Sequence, residues 1–401
     1  MALLPVDQAL KRLLDDVEPL PSESVALADA YDRVLAGPVV ALRTQPPFAA
    51  SAMDGYAVRG ADAEKALARL KVVGEIAAGH NLAGSVGSGE AARIFTGAPL
   101  PDGADTVVIQ ENVAVLGGDM IELAEPTRAG ANVRRAGLDF EAGDTLLDQG
   151  HLLGASALSL AASANRSHLD VVRQPLVAII ATGDELRVPG SEPGPGQIIS
   201  SNAYGVMGSA RAVGARALDL GIAADRKEAI ASLVRQAVAA NADVIVTMGG
   251  ASVGDHDLVH GVLTGEGMKL DFWKIAMRPG KPFMFGRLGN IRCIGLPGNP
   301  VASLVCSQLF LKPLLARLGG RPFRQNMGDA LLGAPMAAND LRQDYVRATL
   351  STQGSALVAT PFNVQDSSML RTMTRAGCLI ERLPFAPAAE AGAPCRILTL
   401  A

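Results

Sequence analysis

A chain of 401 residues, 49% hydrophobic and 19% charged, carries more sequence than one ordinary core holds, which excludes a disordered chain and predicts two to four domains. A net charge of −4 and an aromatic content of 4% exclude a general nucleic-acid binder, which needs a basic field and aromatic platforms for bases. Cys293, Cys306, Cys378 and Cys395 are scattered and form no C-x-x-C pair, as in a cytosolic protein with reduced thiols.

The N-terminal MALLPVDQALKRLLDD includes acids and has no long apolar run, so a secretory signal is not expected. Val6, Leu10, Leu13, Leu14 and Val17 recur at helical spacing and predict an amphipathic helix over 5–17, ended by the Pro19–Pro21 pair. Residues 22–48 are mixed and close on the rigid Gln45-Pro46-Pro47-Phe48. SAMDGYAV at 51–58 holds an Asp54-Gly55 turn signal. Between 70 and 142, LKVVGEI, EAARIF, DTVVIQENVAVL and DMIEL read as short strands, with the long loop TGAPLPDGAD at 96–105 among them. Residues 151–166, rich in Ala and Ser, read as a helix.

Near residue 175 the character changes. PLVAIIATGDEL and ADVIVTMGG are unbroken apolar strands that end in polar or glycine turns, and 216–220, 283–285 and 292–296 read as further strands. Helices are expected at 201–213, 226–240 and 299–318. Unbroken apolar strands alternating with helices predict a parallel or mostly parallel sheet covered on both faces, an αβα domain. After Gly319-Gly320, DYVRATL, SALVATPF, GCLIERL and CRILTL sit at hairpin spacing and predict a separate small β-domain. The longest apolar runs, such as 176–181, fall short of the roughly 20 residues a membrane helix needs, so a soluble cytoplasmic protein is expected, with neither membrane nor nucleic acid as a partner.

In an open parallel sheet, ligands bind at the carboxyl ends of the strands. Three polar clusters each follow a predicted strand: Thr182 to Glu185, Gly249 to Asp257, and Leu296 to Pro300. The topology therefore gathers them on one sheet edge. Glycines such as Gly249, Gly250 and Gly254 let backbone N–H groups approach an anion closely, although a tight structural turn would look the same. Asp184, Glu185, Asp225, Asp255 and Asp257 are candidate Mg²⁺ ligands beside a phosphate, or else solvated loop acids and helix caps. Lys274, Arg278 and Lys281, stiffened by Pro279 and Pro282, make a candidate oxyanion clamp. In PGNP, Pro297, Gly298, Asn299 and Pro300 fix a turn and a helix start.

Two rival motifs fail on sequence grounds. Ser252 sits in a G-x-S-x-G frame, but a nucleophile elbow needs a downstream acid and then a histidine. Only His256 and His260 follow the serine, both on its own segment. These two histidines are spaced i, i+4 without the glutamate of H-E-x-x-H, and read as exposed helix-surface residues.

TGDEL, GGASVGD, WKIAMRPGKP and GLPGNPVAS, with SAMDGYAV and TGAPLPDGADTVV upstream, resemble the molybdopterin molybdenumtransferases, the MoeA family that includes the gephyrin E domain. The likeness runs over essentially the whole chain. It implies a multidomain subunit: a linker and dimerisation domain at 21–48 and 143–170, a β-rich domain at 49–142, an αβα domain at 1–20 and 171–318 similar to molybdopterin adenylyltransferase, and a C-terminal β-barrel-like domain at 319–401. It implies a homodimer, with the adenylyltransferase and cofactor-acceptor proteins as further partners. The implied reaction takes adenylylated molybdopterin and molybdate, uses Mg²⁺, and gives molybdenum cofactor and AMP. Position by position, Glu185, Asp225 and Asp257 match the family's acids, and Lys274 and Lys281 its bases, with Arg278 where some members have lysine. Ser252 and its glycines match the phosphate loop, and Pro297 and Pro300 the proline turn. Asp54 and Thr96 match positions that reach the site from the partner subunit, and Arg347 and Ser367 match C-terminal-domain positions. The chain departs from the family at Asp366-Ser367-Ser368, where G-S-H is frequent, and at Asp255. A non-catalytic scaffold and an adenylyltransferase are the alternative readings.

Overall fold

A computed structural model describes residues 3–249 and 258–400, arranged as two compact units. One unit comprises residues 1–23, Asp32–Val34 and 171–401; the other comprises Ser24–Tyr31 and Leu35–Asp170.

The larger unit begins with α1, Val6–Leu14, which buries Val6, Ala9 and Leu13 on one face. The helix stops before the expected prolines. Asp15 is already extended and Asp16 takes a left-handed φ of 55°, since two acids fit poorly at the negative end of a helix dipole.

The sheet that follows is built from β1 (Leu176–Thr182), β2 (Arg216–Ala223), β3 (Val244–Met248), β4 (Lys269–Trp273), β5 (Met284–Leu288) and β6 (Ile291–Leu296). Its order is β2-β1-β3-β6-β5-β4. The first four strands run parallel, while β5 and β4 are added antiparallel. Alternate residues of the apolar strands serve opposite faces. Val177, Ile179, Val244 and Val246 pack with α2 (Asn202–Arg211) and with the long helix α5 (Pro300–Leu318). Ala178, Ile180 and Ile245 pack with α3 (Lys227–Ala239) and α4 (Leu258–Gly265). This two-sided burial is why these strands read as unbroken apolar runs.

Helix α5 corrects one expectation. Its 19 residues and mean hydropathy of 1.4 make it long and apolar enough to cross a membrane, yet 78% of it is buried inside the protein, as in a core helix. Ser303, Ser307, Gln308 and Lys312 break the apolar run that sequence reading looks for. Pro313 lacks the N–H that would bond the Leu309 carbonyl four residues back. A π-helical segment, Ser307–Leu311, accommodates it, and Gln325 Nε2 donates to that carbonyl at 3.4 Å.

The C-terminal strands close on themselves. Gln343–Gln353, Ala356–Pro361, Met327–Leu332, Pro394–Thr399 and Cys378–Arg382 are hydrogen-bonded in that order, and the last pairs again with the first. Closure leaves no free edge, as in a barrel. Met277–Arg278 joins it alongside Gln343 and Asp344. In the second unit a six-stranded sheet runs in the order Thr106–Ile109, Gly55–Val58, Glu90–Ile94, Arg69–Ile76, Met120–Leu123, Val113–Gly117.

Candidate active site

The chain leaves β1 for β2 on one side and returns to β3 on the other, so the switch point lies between β1 and β3. A cleft of about 740 Å³ opens at their carboxyl ends. Thr182, Gly183, Glu185, Asp225, Gly249 and residues 297–300 all line it. The sequence-predicted convergence of the three clusters is therefore present for the described residues. Gly250, Ser252, Gly254, Asp255, His256 and Asp257 lie outside them.

Gly249 is required here by geometry. Its φ is +91°, and an added Cβ would stand 2.5 Å from the Thr182 carbonyl oxygen, a backbone atom of β1 that cannot swing away. A Gly249→Ala substitution is expected to cost about 2 kcal/mol or more, checked by denaturant unfolding.

The acids form one electrostatic group. Asp184 Oδ1 accepts the Asp225 N–H at 3.1 Å. Asp225 has its carboxyl pKa raised, first by partial burial and then by the neighbouring charges of Asp184 and Glu185, against a lowering backbone hydrogen bond. The folded state thus holds this proton more tightly than the unfolded chain. The stability linked to Asp225 is full below the ordinary value of 3.8 and is lost as pH rises through the raised folded value. Asp225→Asn should therefore raise the thermal midpoint slightly at pH 7, with the gain disappearing as pH falls below 3.8. Thermal scans across that range check it.

Among the described residues no three His, Cys, Asp or Glu side chains converge as a closed metal cage. A cation held by one or two carboxylates and by substrate phosphates needs no such cage, and Asp225 with Glu185 on the cleft wall fits that mode.

The opposite wall is the start of α5. Pro300 occupies its first turn, where a missing N–H costs nothing. Asn299 does not cap the helix with its side chain; its Nδ2 donates to Ser367 Oγ at 2.8 Å. The Val301 N–H donates to the Ser367 carbonyl at 3.0 Å, and Asn202 Nδ2 donates to the Gly298 carbonyl at 2.7 Å. The unusual Asp366 makes a tight turn, accepting from the Ser368 N–H and Oγ at 2.8 and 2.6 Å, and these bonds hold its pKa below the usual range. Arg347 anchors the same loop from beneath. It is 1% exposed, with Nε donating to Gln365 Oε1 at 3.1 Å and Nη1 to the Asp366 carbonyl at 2.6 Å. Its Nη2 is buried without a hydrogen-bond partner among the described residues, and burial lowers its pKa.

The three bases have different surroundings. Lys274 and Lys281 are brought together by backbone bonds, Lys274 N–H to the Phe283 carbonyl and Ile275 N–H to the Lys281 carbonyl, both 3.0 Å, and Pro282 lines the cleft. Arg278 turns to the barrel instead. It pairs with Asp344 through Nε at 3.0 Å and through Nη2, and with Asp340 at 3.6 Å. With Arg347 and Gln365 it lines a second cavity of about 630 Å³.

Asp54 and Thr96 belong to the other unit, where they form a pair. Asp54 Oδ1 accepts from the Thr96 N–H and from Thr96 Oγ1, both at 2.8 Å. The backbone bond first, and then the hydroxyl, lower the Asp54 pKa.

Sequence reading assigns no site role to Asn202, Ser200 and Leu370, nor to Ser368 beyond a departure from the family motif, and all four line the cleft. The polar Ser200-Ser201-Asn202 run ahead of a helix was the available signal for the first two. His260 was expected on an exposed helix face, but it is half-buried, its ring centroid 5.2 Å from that of Trp273.

A doubly wound sheet with a cleft of carboxylates, a left-handed glycine and a proline-bounded helix start at its switch point defines an α/β protein for a phosphorylated ligand. Residues 4–165 match the MoeA N-terminal region (domain I and II), 178–317 a probable molybdopterin binding domain, and 329–400 the MoeA C-terminal region (domain IV). The molybdopterin molybdenumtransferase of Haemophilus influenzae is 38% identical over 320 residues, 80% of this chain and 78% of that one. That of Bacillus subtilis is 33% identical over 386 residues, 94% of this chain and 89% of its own. The crystal structure of a molybdopterin biosynthesis moeA protein from Pyrococcus horikosii superposes with a TM-score of 0.85 at 30% identity, covering 99% of both chains. The chain belongs to the molybdopterin molybdenumtransferase family.

Proposed function

We propose that this protein inserts molybdate into adenylylated molybdopterin, releasing AMP and molybdenum cofactor. The observation that carries the reading is the cleft at the β1/β3 switch point, where Glu185 and Asp225 share one cavity with Gly249 and the Pro297–Pro300 turn. In this reading Gly249, Gly250, Ser252 and Gly254 offer backbone N–H groups to the substrate phosphates, and the Pro297-Gly298-Asn299-Pro300 turn borders the same ligand. Lys274 and Lys281 hold the oxyanion. Arg347, whose buried Nη2 has no partner among the described residues, and Ser367 serve it from the barrel side, while Arg278, paired with Asp344 and Asp340, borders the neighbouring cavity. Glu185 and Asp257 orient the attacking oxygen as the phosphoanhydride breaks and AMP leaves, so that catalysis rests on orientation and electrostatics.

Mg²⁺ held by Asp184, Glu185, Asp225 and Asp257 would neutralise charge on the departing phosphate. The reading includes a cytoplasmic homodimer in which Asp54 and Thr96 complete the partner's site, and delivery between the adenylyltransferase and the acceptor enzymes. Complementation tests it. Expression in a strain lacking this transferase should restore molybdoenzyme activity, and failure of a well-expressed protein to do so would leave the scaffold reading in its place.

A further inference from the structure

Lys274 has two structural peculiarities. Its φ is +78°, a left-handed conformation that a side chain adopts only when its surroundings compel it. Here two backbone bonds compel it, its own N–H to the Phe283 carbonyl at 3.0 Å and the Leu4 N–H to the Lys274 carbonyl at 3.2 Å. Among the described residues no carboxylate pairs with its ammonium. Instead Nζ stands over the Trp273 ring, 5.1 Å from the centroid.

Trp273 carries a polar atom that its position does not use among the described residues. Its Nε1 is buried without a hydrogen-bond partner among the described residues, a defect that a phenylalanine at the same place in β4 would not have. Its ring packs with the α3–α4 side of the sheet and against His260, in the helix that directly follows the 249–257 loop. A ring whose donor goes unused among the described residues while its face meets a cation calls for a reason beyond packing.

We propose that Trp273 is a positioning residue whose indole face sets where the Lys274 ammonium stands. The chemistry suits an anion-binding base. A carboxylate partner would neutralise the charge, as Asp344 and Asp340 do for Arg278, whereas a π face holds the ammonium and leaves its N–H donors for the ligand. The inference rests on the reading of Lys274 as a base for the oxyanion.

Steady-state AMP release by the full-length protein, with molybdate varied, tests it. Trp273→Leu should raise the KM for molybdate about tenfold and change kcat less than about twofold, while Trp273→Phe, which keeps a weaker ring face, should stay within about threefold of the parent KM. A parent-like KM in Trp273→Leu, or equal damage in both variants, overturns the proposal. Lys274→Met separates this from the underlying reading: unchanged kinetics in that variant remove Lys274 from the reaction, whereas an impaired Lys274→Met beside an unaltered Trp273→Leu overturns the role of Trp273 alone. Trp273 is the single tryptophan of the chain, so its emission reports the contact without any change at that position, even if Trp273→Leu does not fold. Lys274→Met should alter the emission intensity of the unliganded protein; identical emission overturns the contact.

Discussion

An Arg347→Ala variant is expected to lose stability and turnover together. The guanidinium is buried at 1% exposure and holds the Gln365 side chain and the Asp366 carbonyl. Removing it leaves a cavity the size of a long side chain and takes away two hydrogen bonds, so that Gln365 Oε1 keeps only the Arg347 backbone N–H at 3.0 Å and the Asp366 carbonyl only the Met369 N–H at 3.3 Å. Together these should cost about 3 kcal/mol, read as a lower midpoint in urea. The loop so released carries Ser367, which is bonded to Asn299 and Val301 at the start of α5. Turnover should therefore fall in the protein that remains folded, beyond what the lost stability explains. Arg347→Lys keeps the charge but not the planar fork, and should recover little of either quantity. A midpoint equal to that of the parent protein in Arg347→Ala would mean that the loop does not depend on this anchor.

Glu185→Gln should act in the opposite manner. Glu185 is exposed on the cleft wall, and the described residues give it no ion pair. The substitution keeps shape and removes only the negative charge, so stability should stay within about 0.5 kcal/mol. AMP release should fall about 100-fold or more, the scale of a lost acid–base or charge-stabilising group. A normal rate removes Glu185 from the site. The pair of variants is informative because one acts through the fold and the other does not.

Much of the central domain could be read from local pattern. Leu176–Thr182 and Val244–Met248 are unbroken apolar strands, and their order in the chain with the intervening helices is enough to place the polar clusters on one edge. What escaped was tertiary. Asn299 meets Ser367 across 68 residues, and Arg278 meets Asp344 across 66, through side-chain pairings that leave no local periodicity. Strand β4 escaped for a local reason. Its pairing with β5 shifts register between Leu270 and Phe272, so the charged Asp271 interrupts the two-residue alternation by which a strand is recognised. His260 looked like a surface residue because its packing partner, Trp273, lies on a different element. The roles given to Asp54, Thr96, Arg347 and Ser367 came from family resemblance, since nothing in their own stretches of sequence distinguishes a working residue from a solvated one, whereas Lys274, Arg278 and Lys281 stood out as a proline-stiffened group of cations.

The most direct measurement is turnover by the purified protein supplied with adenylylated molybdopterin, molybdate and Mg²⁺. AMP release should depend on molybdate and on the divalent cation, and should match the appearance of cofactor able to activate an apo-molybdoenzyme. No AMP under these conditions, or ATP-dependent adenylylation of molybdopterin by this chain in its place, would contradict the account.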